Sequence, residues 1–276
     1  MMGVAVVGSM VVLSAKAQEA GAGGAPAADQ AAELAKKLAN PIAALISLPL
    51  QYNYDTDYGV QEDGSKQYIN VQPVIPISIS EEWNMISRTI MPLIDQHDIP
   101  SGVDKSGLGD VVQSFFFSPK APSSWGDIIW GAGPVALLPT ASDEVLGGEK
   151  WGAGPTAVAL KQSGPWTVGM LANHIWSFAG EDDRGDVNAT FLQPFCGYIT
   201  KTKTTLMMNT ETTYNWEAKD SSQAWSVPVN ILVAQMFKIG GQIMQFQIGP
   251  RYWVGSPDAG PENWGIRAQL TFLFPK

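Results

Sequence analysis

Two guanidinium groups and one carboxylate stand on the polar sides of alternating stretches in the last third of this chain. They are Arg251, Arg267 and Glu211. Asn209, Gln245, Gln247 and Gln269 share those polar sides. A carboxylate between guanidinium groups can accept paired N–H bonds and build a charge ladder. At a narrow point of a pore such a ladder selects among solutes. The same ladder can instead brace an interior without touching a solute, and the residues leave both readings open. Arg88 is a further candidate, in a stretch of ambiguous register.

A catalytic set is harder to assemble. The histidines are His97, in a long loop, and His174, in "WTVGMLANHIWSF". His174 falls beside Met170 and Trp176 on an apolar face, where a bulge would re-aim it. An outward Ser–His–Asn site would need an Asn on that face, but Asn173 points the other way on a strand. No G-x-S-x-G occurs. The chain is read as a non-enzyme with no catalytic residues. A single cysteine, Cys196, and the lack of an EF-hand pattern give no reason to expect a metal or cofactor.

The elements that carry these residues are strands. In "NWGIRAQLTFLF", Trp264, Ile266, Ala268, Leu270, Phe272 and Phe274 share one face, and Gly265, Arg267, Gln269 and Thr271 the other. Only a period of two gives that split. "IMQFQIGPRYWV", "LMMNTETTYNW", "AWSVPVNILV" and "YINVQPVIPISIS" behave alike. Short connections at Ser80, Pro119, Lys161, Thr200 and Lys238 alternate with longer, more acidic ones at Asp55, Asp95, Thr140, Gly180, Glu217 and Gly255. Trp130, Trp151, Trp166, Trp176, Trp225 and Trp264 fall near strand ends, as interfacial aromatics do. The expected fold is all-β: a closed antiparallel transmembrane barrel of about 12 strands, with a lipid-facing apolar exterior and a wet lumen. Proline inside strands at 73, 76, 134, 155, 194, 228 and 250 works against this, because each removes a ladder donor.

The pentapeptide WGAGP occurs at Trp130 and again at Trp151. Successive antiparallel strands would put the two Trp at opposite interfaces and turn Gly131, Gly133, Gly152 and Gly154 inward, leaving room in the lumen. No Lys-Ser/Thr or strand-then-helix context makes these phosphate loops.

Residues 1–17 read as a signal peptide, an apolar run ending in Ala15-Lys16-Ala17. Residues 18–41 read as a small-residue linker (18–28) and a short helix at 29–39, a candidate plug or a periplasmic tail. The barrel is assigned to 42–276. The formal charge of -9 argues against nucleic acid as a partner. The acidic loops suit either divalent bridges to lipopolysaccharide or a plain solvated surface.

The blocks "NPIAALISLPLQYNYD", "INVQPVIPISISEEWNMISRTIMPLI", "GLGDVVQSFFFSPK", "WGAGPVALLPTASDEVLGGEKWGAGPTAVAL", "ANHIWSFAGEDDRGDVN", "LQPF" and "FLFPK" also carry a resemblance. Together they are similar to the outer-membrane proteins grouped under the MetA pathway of phenol degradation, often labelled transporters. The resemblance implies a barrel in the bacterial outer membrane, in contact with outer-membrane lipid and lipopolysaccharide, with a closing strand that the barrel-assembly machinery reads. The expected function is passive or facilitated passage of a small-molecule solute, apolar and aromatic ones included. The rival expectation is an occluded barrel whose long loops bind a partner.

Overall fold

The computed structural model describes residues 24–124 and 126–275. The signal-peptide reading at 1–17 lies outside the described residues. The strands are β1 (Ile46–Tyr58), β2 (Gly64–Val71), β3 (Val74–Ser78), β4 (Trp83–His97), β5 (Lys105–Leu108), β6 (Val111–Pro119), β7 (Ile128–Leu138) and β8 (Lys150–Ser163). They continue as β9 (Trp166–Gly180), β10 (Asn188–Ile199), β11 (Thr204–Thr210), β12 (Thr212–Asn215), β13 (Trp225–Ile239), β14 (Gln242–Gly255) and β15 (Trp264–Phe274). Three pairs, β2/β3, β5/β6 and β11/β12, are single staves interrupted by one or two residues. The result is a closed antiparallel barrel of 12 strands. Closure is direct: β1 pairs with β15 from Ile46↔Phe274 to Asp55↔Gly265. Among the described residues, no strand edge is left unpaired along the ring.

The period-two reading holds in detail. Ile75, Ile77, Met208, Ile231, Val233, Phe246, Ile248 and Ile266 are exposed on the outside, while Arg267, Asn230, Arg251, Gln247 and Thr271 are buried within. Short turns and both chain ends share one rim, and the long loops share the other. Aromatic rings mark both rims. On the turn side Trp83 meets Trp130 edge-on at 5.9 Å, and Trp166 lies 4.7 Å from Tyr198. On the loop side Tyr214 touches Trp216 and Trp225, and Tyr252 touches Trp264.

The strand prolines have a physical solution that also explains WGAGP. Pro134 and Pro155 sit directly opposite each other across the β7–β8 ladder. On its other side each lacks the N–H that its neighbour's carbonyl would accept from. That carbonyl leans onto the preceding glycine. A Cβ on Gly133 would stand 2.0 Å from the Phe115 oxygen, and one on Gly154 1.8 Å from the His174 oxygen. Gly249-Pro250 repeats the device, with the Ile231 oxygen 1.9 Å from the missing Cβ. A proline is tolerated there because glycine before it leaves space for a carbonyl that has lost its donor. Pro228 instead sits at a register shift between β13 and β14. Gly131 serves the lumen: a Cβ there would stand 3.2 Å from Ile42 Cδ1.

Three expectations need correcting. The helix α1 runs Gly24–Leu38, so residues 24–28 are helical rather than linker. Pro26 falls in its first turn, where a missing N–H costs nothing. No bulge re-aims His174. The register shift between β8 and β9 lies beyond it, toward the loops, and His174 stays outward beside Trp176. The lumen is also not uniformly wet. Ile86, Phe116, Val158, Leu160 and Leu171 are buried inside, packed around Ile42. Inward apolar residues on β4, β6, β8 and β9 alternate with outward apolar ones, and that erases the sequence contrast on which the wet-lumen reading depended.

Gly154→Ala and Gly249→Ala are expected to destabilise the folded barrel by about 1–3 kcal/mol. Gly185→Ala, whose Cβ would meet nothing within 4 Å, should change little. Urea midpoints in lipid vesicles would show it. Equal midpoints for Gly154→Ala and Gly185→Ala would remove the Gly-Pro explanation.

Candidate functional site: the barrel interior

The residues singled out on the polar faces converge inside the barrel. Glu211 lies in the gap between β11 and β12. Pro194 and Pro228 flank that gap on the neighbouring strands, and the Glu211 N–H reaches the Pro228 carbonyl at 3.3 Å. The carboxylate points inward, at Arg267. Arg267 donates from Nη1 to Oε1 at 2.7 Å and from Nη2 to Oε2 at 2.6 Å. This is the two-pronged geometry that guanidinium and carboxylate planes allow.

The pair is one end of a longer network. Arg267 Nε donates to Asn53 Oδ1 at 2.7 Å, and Arg251 Nη1 donates to the same oxygen at 3.1 Å. Arg251 also donates to Tyr68 at 2.8 Å, and its Nε stands 3.5 Å from Asp55. The Trp253 indole N–H donates to Asp55, and Arg251 lies over the Trp253 ring at 4.5 Å. Asn53 and Asp55 are fully buried. Farther along, Asn230 donates to Asn209 at 2.9 Å. Side chains from β1, β2, β12's junction, β14 and β15 thus meet at the centre of the barrel.

Toward the turn side lies a cavity of about 190 Å³. Asn209, Glu211, Gln245, Gln247, Arg267 and Gln269 all line it. Arg251 does not; it belongs to the part of the network nearer the loops. Gln51 donates to Gln269 at 3.1 Å, and Gln269 to Thr271 at 3.0 Å. Arg88 resolves as inward, lines the same cavity and donates to Gln72 at 3.1 Å.

The floor of the cavity comes from α1 and the segment after it. Leu38, Ala39, Asn40, Pro41, Ala43 and Leu45 line it. Leu34, Ala43 and Leu45 pack with Leu273 of the closing strand, and Ile42 packs into the apolar wall opposite. Gln162 of β8 donates to the Lys36 carbonyl at 2.8 Å. Burying one such aliphatic side chain is worth roughly 1.5–3 kcal/mol. Several together fix the segment inside the turn-side half.

Sequence reasoning missed Asn53, Asp55, Tyr68 and Trp253. The signal was present in "LQYNYDTDY", where Tyr52 and Tyr54 alternate with Asn53 and Asp55.

His174 lies elsewhere, on the outer surface near the loop rim. Its ring nitrogens meet Thr190 Oγ1 at 2.7 Å and Asn188 Oδ1 at 3.1 Å. The Trp216 indole N–H donates to Thr190, and Asn188 donates to Glu217. One tautomer, N–H on Nε2, satisfies the whole chain. Above the barrel, Lys105 stands 2.6 Å from Asp143. That hydrogen bond, with one from the Val145 N–H, holds the Asp143 carboxyl below its ordinary value.

No protein-family model matches the chain, and no curated protein matches it either. Among solved structures it is similar to an outer membrane channel from Pseudomonas putida F1, with a TM-score of 0.66 at 18% identity, over 84% of this chain and 96% of that one. The Salmonella typhi outer membrane phospholipase, solved as a dimer with bound calcium, gives 0.44 at 10% identity over 83% of this chain and 91% of that one. The β domain of the Bordetella autotransporter BrkA gives 0.44 at 10%, over 84% and 100%. The first of these likenesses supports the barrel fold.

Glu211→Gln would leave the Arg267 and Arg251 guanidiniums facing a neutral amide. Removing one partner of a buried pair costs about 3–5 kcal/mol, so a large drop in urea stability is expected. His174→Ala should cost only about 1–2 kcal/mol. A Glu211→Gln barrel as stable as the parent would mean the ladder is solvated and does not brace the interior.

Proposed function

We propose that this chain is an outer-membrane channel for passive or facilitated passage of small solutes, narrowed on its turn side by residues 24–45. The observation that carries the reading is the partly open cavity between the Arg267–Glu211 network and the Ile42 segment. A barrel of this size has an interior that side chains can largely fill, so the passage is selective rather than wide. Asn209, Glu211, Gln245, Gln247, Arg251, Arg267 and Gln269 form its polar wall, and the helical segment acts as the plug. The fold likeness to an outer membrane channel supports this reading.

The turn rim then faces the periplasm, and the acidic loops face outward beside lipopolysaccharide in a Gram-negative outer membrane. The sequence blocks similar to the MetA phenol-degradation group support apolar and aromatic compounds among the solutes. The chain acts without enzymatic chemistry, and the His174 chain of hydrogen bonds braces the outer aromatic girdle. The dense packing of Asn53, Asp55 and Arg251 above the cavity favours a second reading, an occluded barrel that binds a partner through its loops.

Planar-bilayer conductance of the refolded protein, with and without residues 18–39, decides between them. Conductance is expected to be small in the full form and to rise at least severalfold on deletion. Silence from both forms, with folding confirmed, would replace the channel by the occluded barrel. Equal conductance would keep the channel and remove the plug.

A further inference from the structure

Among the described residues, one guanidinium of the central lumen makes no direct ion pair. Three guanidinium groups, Arg88, Arg251 and Arg267, share the central lumen with two carboxylates, Glu211 and Asp55. Arg267 takes both oxygens of Glu211, and Arg251 stands by Asp55 and Glu211. Arg88 has no carboxylate oxygen within 4.0 Å among the described residues. Its recorded side-chain bond is to the neutral Gln72. A half-buried guanidinium carries donors in a rigid fork suited to a carboxylate, and here the fork faces a cavity.

The rest of the cavity wall adds to this. Gln245 and Gln247 line it, and their amides make no side-chain hydrogen bond among the described residues, although both residues are buried. Their polar groups are open to a solute. Val74, Phe195, Met207 and Leu232 give the same cavity an apolar side. At about 190 Å³ it falls below the roughly 300–1,000 Å³ of pockets for drug-sized ligands. A single ring or a short chain is the size that fits.

We propose that the cavity beside Arg88 is a binding site for a small organic monocarboxylate: the carboxylate pairs with Arg88, the amide NH2 groups of Gln245 and Gln247 donate to its oxygens, and its hydrocarbon body lies against Val74, Phe195, Met207 and Leu232. This specifies the solute class of the proposed channel and rests on that cavity being open to solute. It is tested by equilibrium binding, whose failure is separable from failure of conductance. The acidic loops repel an anion over roughly 8 Å at physiological salt, so flux would mix entry with binding.

The experiment is isothermal titration calorimetry of the refolded full chain in a non-ionic detergent. The probes are benzoate and its neutral isostere benzamide at neutral pH. Benzoate is expected to bind at one site, roughly tenfold or more tighter than benzamide, the scale of a charge-assisted hydrogen bond. Arg88→Gln should bring benzoate down to the benzamide level while leaving benzamide unchanged, and Arg88→Lys should keep part of the preference. Equal binding of the two probes to the unmodified protein would overturn the proposal, as would an unchanged ratio in folded Arg88→Gln or no binding of either probe. The probe ratio on the unmodified protein stands even if Arg88→Gln fails to fold. Benzoate binding with a silent bilayer would keep the site and reject the channel. Conductance without benzoate preference would do the reverse.

Discussion

Everything in this molecule follows from one constraint: a strand that faces hydrocarbon cannot leave a backbone N–H or carbonyl unpaired. The pairing of Ile46 with Phe274, carried ten residues along β1 and β15 to Asp55↔Gly265, meets that constraint by joining the chain's ends into a ring. Closure fixes which residues face inward, because a slip of one residue would turn every side chain over. Asn53 and Arg267 are opposite each other in the closing pair. The seam of the barrel and the centre of its polar network are therefore the same place. Closing the ring in the wrong register would move Arg267 to lipid and leave Glu211 unpaired.

The prolines are local exceptions to the constraint, and the residues before them show how the exception is accommodated. A proline opposite a carbonyl leaves that carbonyl without a ladder donor. At three positions the residue before the proline is glycine, and the carbonyl moves into the space a Cβ would take. At Glu211 a one-residue interruption of the stave, flanked by Pro194 and Pro228, coincides with a carboxylate at the lumen centre. Broken ladder and network centre coincide there, as bulges and binding sites often do in sheets.

The fold was legible because a barrel strand exposed to lipid on one face and to polar groups on the other writes its structure as alternation. β15 and β14 did so over their full length, and the loop lengths supplied the two rims. The polar wall was legible for the same reason: Glu211, Arg251 and Arg267 sit at inward parity. What was hidden had no contrast to reveal it. On β4, β6, β8 and β9 both faces are apolar, one toward lipid and one toward Ile42, so the inner apolar wall could not be told from the outer surface. His174 was hidden for the opposite reason. It is polar on the outer face, and only its neighbours on β10, Thr190 and Asn188, satisfy it; no single strand reveals a partner on the next. The helix began earlier than expected because small residues at 24–28 read as flexible when alone, yet suit a helix once its later turns pack against the barrel.

The interior divides into two kinds of filling. Near the loops it is charge and amide, held by bonds among Asn53, Asp55, Arg251 and Tyr68; near the turns one wall is aliphatic, centred on Ile42, and faces the amides of Gln245 and Gln269. A buried ion network of this kind adds little net stability over a hydrophobic filling of equal volume, since desolvation offsets much of the attraction. An occluded barrel would be served as well by hydrocarbon throughout. Placing Arg88, a guanidinium without a direct ion pair, where a cavity separates the two fillings is a poor design for a plug alone. It is a reasonable one for a passage that must hold a polar solute for a moment and release it, because an incomplete charge pair attracts without sealing.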